Sequence, residues 1–125
     1  MRLKALAFLC LLGLPVYGHE MTPAYPTLVL SHIEKVHVAV VKIWNSREDV
    51  EWYGLSVFDE DWNQIKFASQ HRTVKIDLNN SKVIEIYIRS QDADRVVYIC
   101  SESKLFKGTN KVSLISSRIC SKVKR

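Results

Sequence analysis

From residue 28 onward the chain alternates in short bursts, apolar against polar, with polar turns between bursts every eight to twelve residues. Val74, Ile76 and Leu78 share one parity while Lys75 and Asp77 take the other; Ile84, Ile86 and Ile88 alternate in the same way with Glu85 and Tyr87. A period of two places one set of side chains on one face of a pleated strand. The pattern predicts strands over Leu28 to Leu30, Val36 to Asn45, Trp52 to Phe58, Ile65 to Ala68 and Thr73 to Leu78. Three more follow over Val83 to Arg89, Arg95 to Ser101 and Lys111 to Cys120. Asn45 to Asp49, Asp59 to Asn63 and Asn79 to Ser81 read as turns. Thr22-Pro23-Ala24-Tyr25-Pro26 has two prolines, which lack the N–H a central strand needs, so it reads as an extended lead-in or edge. No stripe at three- and four-residue spacing persists after residue 18, and no helix is expected. Seven or eight short strands with one buried face each imply two stacked sheets, an all-β sandwich.

The first residues follow a different rule. Arg2 and Lys4 precede the apolar run Leu6 to Leu14, which is too short to span a bilayer of roughly 30 Å; Pro15 breaks it, and Val16-Tyr17-Gly18 resembles a signal-peptidase site. The expected organisation is a cleavable signal peptide over 1–18 and one sandwich domain over 19–125, exported to a periplasmic or secreted location without an integral membrane anchor. Cleavage changes the charge arithmetic, because loss of Arg2 and Lys4 lowers the formal charge from +5 to +3. Many of the remaining cations sit near the C-terminus, from Lys104 to Arg125, spread over strand-like sequence rather than packed with aromatic stacking residues. That arrangement favours a solvated face over a nucleic-acid groove.

Cleavage would also remove Cys10, leaving Cys100 and Cys120, which have one possible pairing in an oxidising compartment. A hairpin turning over Phe106 to Asn110 would set the two cysteines opposite each other. Catalytic signatures are missing. His19, His32, His37 and His71 have no partners at metal-ligand spacing and read as surface or turn residues. There is no nucleophile elbow and no glycine-rich phosphate loop. The acids Glu48, Asp49 and Glu51, and Asp59 to Asp61, fit no standard calcium loop and read as turn charge. The sequence thus points to a non-enzymatic protein with no cofactor and no metal.

Several of these segments together resemble the N-terminal immunoglobulin-like domain of PapD-like periplasmic pilus chaperones. They are Val38 to Asn45 (a strand closing on Asn), Trp52 to Asp59, Ile65 to Phe67, Leu78 to Ile86 and Gln91 to Ile99, with Ser117-Arg118-Ile119 placed where the last strand of that domain runs. The resemblance covers most of the chain after residue 18. It implies the fold, edge-strand pairing, and a protein partner such as a surface or pilus-like subunit. Three family features are not matched: the second domain, the proline of the aspartate-arginine turn, and the basic pair that anchors a carboxylate. Cys120 stands near the position of that lysine, and Ser31 and His32 stand where the arginine would be. The expected function is an exported, chaperone-like binding module acting through edge-strand pairing, or alternatively a structural subunit of a surface or virion assembly. Candidate edges are Lys111 to Cys120 and Leu28 to Leu30. Alternation turns Val38, Val40 and Trp44 outward and adds Phe58, Trp62 and Tyr87 to one exposed apolar surface; these six, with Val112 and Leu114 of the last strand, are the candidate partner-binding side chains.

Overall fold

A computed structural model describes residues 18–104, 106–107, 111–112 and 116–125, without the side chains of 106–107 and 111–112. The signal peptide expected over 1–18 therefore lies outside the described residues, Gly18 excepted. Two sheets stack face to face, as the alternation predicts. The first is built on β3 (Val36–Asn45), whose Ala39, Val41 and Ile43 point inward; β6 (Ser81–Arg89) pairs antiparallel along one side of it, and β1 (His19–Thr22) and β2 (Val29–Leu30) share the other. The second sheet runs in the order β10 (Arg118–Lys122), β7 (Tyr98–Ser103), β4 (Trp52–Phe58), β5 (Thr73–Lys75). The two inner faces contribute Ile43, Ile86 and Ile88 on one side and Tyr53, Val57 and Ile99 on the other, all nearly inaccessible to water. Each fully buried aliphatic side chain of this size is worth roughly 1.5–3 kcal/mol.

Both β3 and β4 have the bounds that the alternation predicts, and the other expected strands shift. Ile65 to Ala68 is not a strand: Gln64 and Ala68 make one isolated bridge each, to Phe58 and Tyr87, because this stretch crosses from one sheet to the other. Thr73 to Leu78 is regular only to Lys75, after which the Ile76 N–H turns to the Glu51 carbonyl at 2.7 Å. Arg95 starts no strand. The segment before Tyr98 is a helical turn, α1 (Ser90–Ala93), with Asp92 accepting hydrogen bonds from Arg89 and Arg95. An element the alternation does not predict, β1, pairs His19 through Thr22 with Asn45 through Lys42. It ends at a cis Thr22–Pro23 bond, and the prolines then carry the chain away from β3 before β2 rejoins it.

The strand expected from Lys111 to Cys120 is divided. A short pair, β8 (Phe106–Lys107) with β9 (Lys111–Val112), caps the hairpin, and its tip at 108–110 is outside the described residues. From Arg118↔Glu102 to Val112↔Phe106 the outgoing strand advances four residues and the return six, so two extra residues interrupt the regular ladder. Beyond that interruption the register is the expected one. Cys100 faces Cys120, joined by a disulfide with a Cα–Cα distance of 4.1 Å. Closing a loop of this length restricts the unfolded chain by roughly 3 kcal/mol. The double substitution Cys100→Ser with Cys120→Ser is accordingly expected to lower unfolding free energy by about that amount while leaving the strand circular-dichroism signature intact. Chemical denaturation of both proteins measures the difference.

Candidate functional site

The edges of the second sheet decide what it can offer a partner. In an antiparallel pair, alternate residues aim both backbone groups at the neighbour and the ones between aim them away. Two bonds fix the phase: the Ser103 N–H donates to Ser117 O at 2.9 Å, and the Val123 N–H donates to Val97 O at 2.8 Å. Odd-numbered residues of this stretch therefore face β7. Arg118, Cys120 and Lys122 turn their N–H and C=O groups outward, and among the described residues no strand pairs with that side of β10. Beyond it, the Lys124 N–H donates to Pro26 O at 2.8 Å. The lead-in thus covers one end of the edge and leaves the rest open. Ile119 packs partly against the core, and Leu28 does so from the lead-in; Arg118 and Lys122 are exposed on the outer face.

Beside this edge stands an aromatic shelf. Asp59 accepts hydrogen bonds from the Asp61 and Asn63 amides, tightening a turn that holds Trp62 at φ 63. Left-handed backbone costs a bulky residue on the order of 1 kcal/mol. The ring recovers contact by stacking on Tyr98, centroids 4.1 Å apart and planes 6° from parallel. The Arg118 guanidinium carbon lies 4.9 Å from the Phe58 centroid and 5.7 Å from that of Trp62. Trp62 stays 49% exposed, whereas Phe58, an expected contact residue, is reduced to 9%. Alternation puts Phe58 on the outer face as expected, and Trp62 and Arg118 then cover it. It is not an exposed contact residue.

The remaining expected contact residues divide between places. Val38, Val40, Trp44 and Tyr87 lie together on the outer face of the first sheet, with Val40 47% exposed and Val38 paired with Tyr87. An open groove of about 440 Å³ ends that face, lined by Ile33, Val36, Phe67, Ala68 and Tyr87 among others. Trp62 belongs to the opposite sheet, so the single patch expected from alternation is two separate surfaces. Val112 has only its backbone described, in β9, and Leu114 lies outside the described residues. Of the expected edges, β2 borders the first sheet and β10 the second.

A buried polar clasp, not expected from the sequence, supports the β10 end of the molecule. Asn45 uses its full capacity: its amide donates to Val50 O (2.8 Å) and Ile76 O (2.9 Å), and its oxygen accepts from the Arg47 N–H (2.8 Å) and the Tyr53 hydroxyl (2.5 Å). Buried Arg47 holds Asp49 with two hydrogen bonds and reaches Ser103 and Ser117. Burial pushes the Tyr53 hydroxyl up to about 12. His19, expected at the surface, is only 7% exposed. One ring nitrogen meets Ser117 Oγ at 2.8 Å and the other Ser101 Oγ at 3.0 Å, so β1 of the first sheet is tied to the β7–β10 pair of the second. The clue was weak in sequence, because only the strand-closing Asn45 belonged to a recognised pattern. Among the described residues there is no group of three metal-ligating side chains and no helix long and apolar enough to cross a membrane.

No family model and no curated protein matches this chain. Solved structures do. The E. coli chaperone DraB superposes with a TM-score of 0.57 at 17% identity, covering 87% of this chain and 54% of that one. The likeness is one of fold, and it agrees with the immunoglobulin-like, PapD-like sandwich expected from the sequence. This chain spans about half the length of DraB. A FixG-related protein from Vibrio parahaemolyticus also aligns, at 12% identity and a TM-score of 0.45, over 86% of this chain and 96% of the other.

The clasp has a pH consequence. Burial, and secondarily the positive charge of Arg47, hold His19 below its ordinary value of 6.5. The unfolded chain therefore takes up the proton first, and stability present above about pH 6.5 is lost as pH falls below it. His19→Gln should flatten that part of the stability–pH curve, which denaturant midpoints measured between pH 7.5 and 5 record.

Proposed function

We propose that this protein is an exported, non-enzymatic binding module that captures an extended segment of another protein along the open edge of β10. The observation that carries the reading is the outward aim of the Arg118, Cys120 and Lys122 backbone groups, beside half-buried Leu28 and Ile119. An added strand gains main-chain hydrogen bonds there and gains specificity from alternate side chains. The chaperone-like role is supported by the PapD-like fold. Export through a cleaved leader is supported by the Cys100–Cys120 bond, since thiol-oxidising compartments are where such bonds persist.

Two proline substitutions separate this edge from the opposite one. Lys122→Pro removes an outward N–H and leaves the β7 ladder intact, because proline is tolerated where the N–H faces solvent. Val83→Pro does the same at the outer edge of β6, whose phase is set by the reciprocal Ala68–Tyr87 bonds. We expect Lys122→Pro to lose partner capture from a native extract and Val83→Pro to keep it, both with near-native thermal midpoints. Loss in both variants, or in neither, places binding elsewhere.

A further inference from the structure

The chemistry of the captured segment is written in the side chains of the same edge. On β10 the residues that turn their backbone outward also carry their side chains on the outer face of the sheet, and two of the three, Arg118 and Lys122, are cations; the third is tied up in the disulfide. Arg72 and Lys104 add positive charge to the same face, where they line a cavity of about 390 Å³ with Arg118 and a single acid, Glu102. Glu102 is paired with Arg118 across the ladder, yet no ion pair within 4 Å joins them, since Arg118 leans instead over Phe58 and Trp62.

A strand added to this edge would place its own side chains directly opposite Arg118 and Lys122, with Cβ atoms about 4.5–5.5 Å apart. Like charges at such positions repel and opposite charges attract. A second copy of β10, antiparallel and centred on Cys120, would set Arg118 against Lys122, so the edge disfavours pairing with itself. Side chains of the other parity would fall on the inner face, beside half-buried Ile119 and Leu28, where apolar groups fit.

We infer that the segment captured by β10 is an extended strand carrying two carboxylates four residues apart on its outer face, with apolar residues on its inner face. The inference rests on the edge-capture reading above. It goes beyond that reading by naming the charge pattern of the ligand.

The test uses the oxidised protein and three capped peptides: Thr-Glu-Val-Thr-Val-Glu-Thr, the same sequence with both Glu replaced by Gln, and the same with both replaced by Lys. Titrations followed by amide NMR report both the affinity and the location of binding. The expected order is Glu tightest, Gln roughly tenfold weaker, and Lys weaker still, with shifts concentrated at Arg118, Cys120 and Lys122. Lys122→Glu should narrow or invert the preference between the Glu and Lys peptides, and that exposed substitution leaves the core untouched. Equal binding of the Glu and Gln peptides at β10 would overturn the charge pattern and leave edge capture standing. Shifts confined to the cavity around Arg72 and Lys104 would overturn it as well. If none of the three peptides moves the β10 amides, edge capture itself fails.

Discussion

The pairing of β10 with β7 is the constraint on which the rest depends. Its register, covalently fixed where Cys100 meets Cys120, determines which backbone groups are spent inside the sheet and which are left over. A slip of one residue would send Ile119, Ser121 and Val123 to the outer face and put Arg118 and Lys122 over the core. The disulfide lies on a pair whose backbone groups do not bond each other, the position at which antiparallel strands come closest. It therefore holds the register without displacing a ladder bond. The outward row at Arg118, Cys120 and Lys122 is a consequence of that geometry, not a local accident.

The two ends of this strand are anchored differently. At Ser117 the hydrogen bonds to His19, Arg47 and Ser103 tie the entry of β10 to the first sheet and to the polar clasp around Asn45. At the exit, Val123 is buried, the Lys124 amide bonds Pro26, and the Arg125 guanidinium donates to the carbonyls of Asp94 (2.7 Å) and Val96 (2.5 Å) beyond α1. Between these anchors the strand is held from one side only. Its outward donors and acceptors are already ordered, so β10 itself would lose little conformational entropy on adding a strand, unlike a loose segment.

Much of this was legible from parity. The alternation around Val36 to Asn45 and Trp52 to Phe58 gave strand bounds and buried faces together, since Ala39, Val41 and Ile43 had to share a side. The facing cysteines followed from hairpin geometry once the turn was placed. What parity could not convey was which sheet a strand joins. Phe58 and Trp62 were therefore grouped with Val38 and Trp44, although the crossover at 46–51, between β3 and β4, sets them in opposite sheets. Nor could it signal the clasp. Asn45 meets Arg47 and Tyr53 locally, but its bond to Ile76, the reach of Arg47 to Ser117 and the His19–Ser117 bond span 31, 70 and 98 residues, which no local period encodes. His19 looks like any surface histidine until β1 brings it against Ser101 and Ser117.

Residue-resolved amide hydrogen exchange of the free, oxidised protein reads which β10 amides are already bonded within the sheet. Ile119, Ser121 and Val123 should exchange slowly, while Arg118, Cys120 and Lys122 exchange orders of magnitude faster, an alternation set by which amides face β7. Uniform protection along β10, or protection in the opposite parity, would mean that this edge is already paired or differently registered, and would contradict the account.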